Sequence, residues 1–322
     1  MDASKLPLYK DMPPVKGMPH GCAWGLFDKN DVKDEIGTLN LLTPEVVAEA
    51  AKEIKTGKSV CLSWSLEYIK EPGYNRLATK HKIVNWREFS SNWSYDDELS
   101  INTQSGSQWD GLRHWAYQET GQYYQGIHHD ELLKTDHIGT DHWCERGGIV
   151  GRGVLIDYVS WAQRKGVKYD PWTTHRIPIS DVQAIAEEQG LKFRPGDILL
   201  VRTGFTKKYE ESSREERLRI NSVGEYVGVD SSPECVEWLW NNHFAAVAGD
   251  SIGFEAWPAK DVKYRLHDTL LAMWGMPLGE MWDLEELARE CERQKRWSFF
   301  LTSCPLKIKG GVASPPNAIA VF

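Results

Sequence analysis

The chain has no apolar run near the roughly 18 residues that a membrane-spanning helix needs. Its start, "MDASKLPLYKDMPP", carries no apolar segment of the secretory-leader kind. No lysine- or arginine-rich cluster occurs, and acidic residues outnumber basic ones 46 to 38, for a formal charge of −8. General affinity for nucleic acid or an anionic membrane is therefore not expected. The six cysteines (Cys22, Cys61, Cys144, Cys235, Cys291, Cys304) form no C-x-x-C pair. They read as mostly reduced, buried side chains of a cytoplasmic protein, with a cysteine nucleophile left open. There is no G-x-G-x-x-G after a strand, no P-loop and no G-x-S-x-G elbow, which counts against dinucleotide, nucleotide and serine-hydrolase chemistry. Repeats and low-complexity tracts are also missing.

What is present fits a globular fold: 41% hydrophobic and 26% charged residues over 322 positions, enough to bury a substantial core. The 15 tryptophans exceed ordinary core needs, so some are free to line a flat aromatic pocket. Residues 1–20 are proline-rich and read as an extended arm, with residues 21–322 as one domain. "LTPEVVAEAAKEIKTGKSVCLSW" reads as a helix capped by Thr43, with Pro44 at its first position, Val46, Val47, Ala50, Ala51 and Ile54 on one face, and Gly57 as stop. A strand follows it. Residues 66–103 show weak periodicity. "GRGVLIDYV" (151–159) reads as a buried strand, and "SDVQAIAEEQG" as a helix capped by Ser180 and stopped at Gly190. "RPGDILLVRTGF" is a turn and an apolar strand. "SSPECVEWLWNNHF" and "DVKYRLHDTLLAMWG" read as helices, and "AAVAGD", "WSFFLTSCPLKIK" and "NAIAVF" as strands. Helices and strands alternate throughout, which predicts a single α/β domain.

The stretch "QSGSQWDGLRHW" carries the chemistry. Asp110 and His114 stand four apart, a spacing used by metal sites and acid–base sites alike. "QSGSQWDGLRH" resembles the H-x-G-T-H-x-D-x-x-x-H motif of the cyclase family that includes bacterial kynurenine formamidases and isatin hydrolases. Gly106, Asp110 and His114 match, Ser107 replaces threonine, and Gln104 and Gln108 replace the first two histidines. Other segments resemble the family in order: "WGLFDKNDVKDEIGTLNLLTPE", "GRGVLID", "FRPGDILLVRTG", "AGDSIGFE", "LHDTLLAMWGMPLGEMWDLEELA" and "CPLKIKGGVASPPNAIAVF". The likeness runs over roughly residues 22–322.

The resemblance implies a swivelling β/α fold with a barrel-like mixed sheet, assembled as a homodimer or larger. In two-zinc members the first two histidines and the Asp hold one metal. The last motif histidine, a distal histidine and a glutamate serve the other, which here implies His114, His267 and Glu280. In single-manganese members the last motif histidine moves protons. Asp110, His114, His267 and Glu280 survive in this chain, and the first-metal imidazoles do not.

Three arrangements stay open. One divalent metal, zinc or manganese, could sit on Asp110, His114, His267 and Glu280. An all-oxygen set of Gln104, Gln108, Asp110 and Glu280 would suit Mn²⁺ or Mg²⁺, but neutral amides bind weakly. With no metal, His114 and His267 would serve as base and acid, oriented by Asp110 and Glu280. Gln104 and Gln108 would then donate to a substrate carbonyl. The corresponding reactions are hydrolysis of an amide, lactam or lactone on a small, aromatic or cyclic substrate, or a metal-independent cyclase, dehydratase or isomerase step in specialised metabolism. A catalytically inactive binding protein is the third reading. Plainer roles exist for each residue: a structural turn for Asp110 and His114, helix packing for His267, a solvated helix start for Glu280. Trp109 and Trp115 could be core, or an aromatic wall for substrate. Arg113 could bind a carboxylate or form a surface ion pair. His128, His129, His137 and His142 in "GIHHDELLKTDHIGTDHW" fit no standard metal spacing and read as loop and surface.

Overall fold

The computed structural model describes residues 3–322, and the first two residues of the expected arm lie outside them. Thirteen strands are present among the described residues, in chain order β1 Ser59–Cys61, β2 Lys80–Asn85, β3 Tyr95–Ser100, β4 Gln108–Asp110, β5 Ile149–Asp157, β6 Arg176–Ile177, β7 Ile198–Arg202, β8 Gly228–Val229, β9 Ala246–Gly249, β10 Leu278–Glu280, β11 Ser298–Ser303, β12 Ala313–Ser314 and β13 Ala318–Val321. Nine of them form one mixed sheet, ordered β1-β13-β11-β5-β7-β9-β10-β4-β12, which curls into a half barrel. Its centre, β5-β7-β9-β10, is parallel, and both flanks are antiparallel. Parallel strands covered on both faces need near-continuous apolar sequence. Accordingly Val154, Leu155, Ile156, Leu199, Leu200, Val247 and Ala248 are all buried.

Helices form where caps and periodicity agree. Pro44–Ala50 starts at Thr43, whose hydroxyl accepts from Val46 N, and Pro233–Asn241 starts at Ser232 with Pro233 in its first turn. Four expectations are corrected. The first helix stops at Ala50, and Ala51–Glu53 tightens to a 3₁₀ turn before Ile54 extends. The strand read as 151–159 ends at Asp157, whose carboxylate accepts from Ser160 N and starts the helix Tyr158–Lys165. Ser180 is no cap: the helix Ile179–Glu188 begins before it, after Pro178. The helix read over "DVKYRLHDTLLAMWG" is broken into a 3₁₀ turn, Val262–Tyr264, and a π-helical turn, Asp268–Met273.

The segment of weak periodicity contains β2 and β3, a two-stranded ribbon that pairs with no other strand among the described residues. The N-terminal arm runs through two 3₁₀ turns, Ala3–Lys5 and Tyr9–Asp11. It lies on the helix Pro233–Asn241: Tyr9 N donates to Asn241 Oδ1 and Trp240 Nε1 to Pro7 O.

Candidate active site

Strand β4 fixes the centre of the site. It pairs antiparallel with β10, setting Asp110 opposite Leu278, Trp109 opposite Gly279 and Gln108 opposite Glu280. Side chains alternate faces along a strand, so Gln108 and Asp110 share a face with Glu280, and Trp109 points the other way. Trp109 is accordingly fully buried, edge-on to Trp282 at 4.7 Å, with its Nε1 donating to Ser303 Oγ at 2.9 Å. Its expected place against substrate is therefore corrected to core. Gly279 permits this packing, because a Cβ there would meet Trp282 Nε1 at 2.8 Å and Ala248 Cβ at 2.6 Å.

On the site face, Asp110 Oδ1 accepts from Gln104 Nε2 at 2.6 Å and Gln108 Nε2 at 3.1 Å. Gln108 Nε2 also reaches Glu280 Oε2 at 2.7 Å and Gln104 Oε1 at 3.0 Å. Three acceptors surround this one NH₂ group, which sets the orientation of its amide. The other carboxylate oxygen, Asp110 Oδ2, is buried without a hydrogen-bond partner, as is Gln108 Oε1. Oδ2 lies 3.8 Å from both His114 Nε2 and His267 Nε2.

His267 is held by a carboxylate on each side. Its Nδ1 is 2.8 Å from Glu255 Oε1, and its Nε2 is 3.1 Å from Glu280 Oε1. Glu255 also accepts the backbone N–H groups of Leu266 and His267, both at 2.9 Å, so it caps the turn that carries the imidazole. Burial pulls the His267 pKa down, but the bonds and charges of Glu255 and Glu280 override it and hold it well above the usual value. His114, in the turn Gly111–His114, goes the other way: burial lowers its pKa, against the pull of Asp110. Burial and the nearby Asp110 charge push Glu280 up to about 7, with His267 opposing. Two imidazoles with opposite proton affinities thus face one carboxylate, a layout suited to paired acid and base roles.

The site opens into a cavity of about 130 Å³ lined by Tyr74, Arg76, Gln104, His114, Trp115, Tyr226, Ile252, Trp257, His267 and Glu280. Trp115 is a cavity wall, pinned by its Nε1–H to Asp268 Oδ1 at 2.6 Å and packed on the His267 ring at 5.2 Å. Gln104 lines the cavity as expected, but the expected substrate contact of Gln108 is corrected: it is fully buried beneath the cavity, with its NH₂ taken by Gln104, Asp110 and Glu280. Arg113 does not reach the cavity. Its guanidinium donates to the carbonyls of Leu132, Thr135 and His137, so the expected carboxylate contact is replaced by a loop-binding role. Nor do the other histidines line it: His137 and His142 both meet Glu35, and His129 meets Tyr123. Sequence reasoning missed Tyr74, Arg76, Tyr226, Ile252, Trp257 and Glu255. Of these, Ile252 and Glu255, inside "AGDSIGFE", lay in a segment that resembles the family.

The donor set can be weighed against a cation. Asp110, His267 and Glu280 offer ligand atoms that all lie within 4.8 Å of one another, and His114 Nε2 flanks Asp110. The unpartnered Asp110 Oδ2 is an available anionic ligand. His267, with Glu255 behind its Nδ1, has the carboxylate-backed geometry of metal-binding imidazoles. These residues fit one divalent ion. They do not fit a second, because the amide hydrogens of Gln104 and Gln108 point at Asp110 Oδ1, where a first-metal cation would have to stand.

Comparison with known proteins bears on the family and the fold. A family profile described as "Putative cyclase" matches residues 62–256. A crystal structure described as that of a novel cyclase superposes with a TM-score of 0.82 at 29% identity, covering 94% of this chain and 99% of its own. Isatin hydrolase A from Labrenzia aggregata, bound to benzyl benzoate, aligns with a TM-score of 0.59 at 18% identity over 88% of this chain and 98% of its own. The isatin hydrolase A of Ralstonia solanacearum also gives 0.59, at 19% identity over 87% and 97%. At these identities the last two speak for the fold alone. No curated protein matches the sequence significantly.

Proposed function

Because the chain belongs to the cyclase family, we propose that it is an enzyme that hydrolyses an amide, lactam or lactone in a small aromatic or cyclic substrate. The observation that carries this reading is the buried, unpartnered Asp110 Oδ2, set 3.8 Å from each of two imidazoles and beside Glu280. One divalent cation, zinc or manganese, held by Asp110, His267 and Glu280 with His114 beside them, would polarise the carbonyl and lower the pKa of water. Glu255 keeps His267 oriented. Neutral His114 can take a proton from the attacking water and return it to the leaving nitrogen or oxygen. The Tyr226 phenol, raised well above its ordinary pKa by burial and then by the charge of Glu280, stays protonated and can donate to a developing oxyanion. Trp115 and Trp257 give flat walls that exclude water around a ring.

One observation favours a second reading. The glutamine amides already satisfy Asp110 Oδ1, and His267 can hold a proton between Glu255 and Glu280. A metal-independent cyclase, dehydratase or isomerase would use those same residues, with His114 as base. The deciding experiment measures metal in protein purified without added metal, then assays a panel of lactones, lactams and aryl formamides before and after chelation. Stoichiometric metal, chelator-sensitive hydrolysis and a loss of at least about tenfold in Asp110→Asn with its Tm retained are expected. Hydrolysis by metal-free protein would keep the reaction and place the activated water on His114 alone, whereas no hydrolysis together with metal-free ring closure, dehydration or isomerisation would shift the assignment to the second reading. A well-folded protein that binds ring compounds but turns none over would make it a binding protein.

We also propose a location and an assembly. Six free cysteines support a reducing, cytoplasmic setting. The exposed Ile83, Tyr95 and Leu99 of the β2–β3 ribbon support association of like chains. No described helix is long and apolar enough to cross a membrane.

A further inference from the structure

Arg76 is the one arginine or lysine among the described residues that line the cavity. One of its guanidinium nitrogens donates to Gln104 O at 2.6 Å, and its guanidinium carbon lies 5.1 Å from the centre of the Tyr74 ring. The other poorly exposed arginines are matched more fully. Arg202 meets Asp157 and Glu285, Arg152 meets Glu53 and Asp197, and Arg113 has its three carbonyls. Arg76 has a single carbonyl and no carboxylate within ion-pair distance among the described residues. It belongs to the wall, with Tyr74, that separates this cavity from a smaller one of about 30 Å³. A planar guanidinium with a free edge on a cavity matches a carboxylate by two parallel hydrogen bonds. The remaining walls, Tyr74, Trp115, Tyr226 and Trp257, are aromatic. Glu280 lines the same cavity within electrostatic reach of Arg76, with Asp110 and Glu255 behind it, and that part of the wall repels an anion.

We propose that Arg76 is the anion-recognising subsite of this cavity, and that the substrate is a planar aromatic or conjugated ring bearing a carboxylate that pairs with its guanidinium. This rests on the reading that the cavity is the reaction site. It adds an orientation: the carboxylate goes to Arg76, and the reacting carbonyl is left facing Asp110 and His114. Uncharged ring compounds would lack that anchor.

The test uses binding, so that it does not depend on the reaction. Benzoate and its neutral isostere benzamide are titrated into the full-length protein and followed by tryptophan fluorescence and calorimetry, each with and without a chelator. Benzoate is expected to bind about tenfold or more tightly than benzamide, with or without chelator, and Arg76→Gln should erase that difference while leaving benzamide unchanged. Arg76→Lys keeps the charge but not the fork, and should retain part of the preference. If Arg76→Gln does not give a cooperative melt, the Lys variant decides the matter: an unchanged benzoate preference overturns the proposal. Equal binding of the two probes also overturns it. So does a preference that vanishes with chelator in the wild type, which would place the carboxylate on a metal. If the preference follows Arg76 but no panel compound is hydrolysed, the subsite stands and the hydrolase reading falls.

Discussion

An amide nitrogen presents hydrogens where a metal-ligating imidazole presents a lone pair. Gln108 illustrates the consequence of that exchange. Its NH₂ faces Asp110, Glu280 and Gln104 Oε1, tying two buried carboxylates together without adding charge. The arrangement lowers the repulsion that a cation would otherwise neutralise. Gln108→His should therefore restore a nitrogen ligand beside Asp110 and raise zinc affinity by roughly tenfold or more, read by competition with a chromogenic chelator. Unchanged affinity would mean that the strand pairing holds position 108 away from any cation. Asp110 and His114 were legible in the sequence because one short motif carries both. Gln108 was legible as a departure but not as a buried strut, since that depends on the register with β10. Arg76 and Tyr226 gave no signal. They meet the motif only through folding of segments with no helical or strand period, and a lone Arg or Tyr in such a segment reads as surface.

Among the elements, the turn bearing His267 departs furthest from its sequence pattern. "YRLHDTLLAMWG" has helical spacing, yet the backbone forms a π-helical turn, closed by Trp274 N to Thr269 O at 3.0 Å. Glu255, from the loop after β9, takes the N–H groups that start this turn, and the same carboxylate meets the imidazole Nδ1. A tertiary carboxylate thus overrides local propensity, and π turns recur at functional sites for such reasons. Glu255→Gln keeps the shape but loses the charge that backs the imidazole. Metal affinity should fall about 10- to 100-fold, with a lower Tm, as measured by chelator competition and thermal melting. A variant with intact metal affinity would reduce Glu255 to a helix cap. The central strands and the capped helices were legible because burial on both faces and side-chain caps leave local marks. The three-residue strands β4 and β10 were not, being too short to show a period.

Across the whole molecule, buried charge gives the fold a pH dependence. Asp197, beside Arg152, is pushed up to about 7 by burial, and Asp250 to about 6 by burial against three hydrogen bonds from Thr203 and Gly204. The folded state keeps these protons at pH values where the unfolded chain, near 3.8, has lost them. Their contribution is therefore full below about pH 4 and is lost as pH rises through 6 to 7. Urea unfolding should show stability falling by on the order of 1–3 kcal/mol from pH 5 to 7.5, with a shallower slope in Asp197→Asn.

The β2–β3 ribbon raises a question of completeness rather than charge. Register places His81, Ile83 and Asn85 with Tyr95, Asp97 and Leu99 on one face, and Lys80, Lys82 and Val84 with Asp96, Glu98 and Ser100 on the other. The second face is ionic, with Lys82 Nζ 3.1 Å from Glu98 Oε2. The first mixes exposed apolar side chains with an ion pair: Ile83, Tyr95 and Leu99 are 63%, 71% and 58% exposed beside His81 Nε2–Asp97 Oδ1 at 2.5 Å, and Phe89 and Trp93 at the tip are 69% and 86% exposed. An isolated two-stranded ribbon is marginal in water, and exposed apolar side chains grouped on one are suited to contact with another surface. A second copy laid across this ribbon would cover these apolar side chains. Both ends of the ribbon lead into the cavity, through Arg76 before β2 and Gln104 after β3. Assembly should therefore steady the cavity wall as well as hide these side chains. The double variant Ile83→Lys/Leu99→Lys should convert a dimer or larger species to monomer in light scattering, and weaken ring-compound binding severalfold while the core melt is retained. A wild-type monomer at tens of micromolar, or a double variant that remains assembled, would remove the ribbon as the contact.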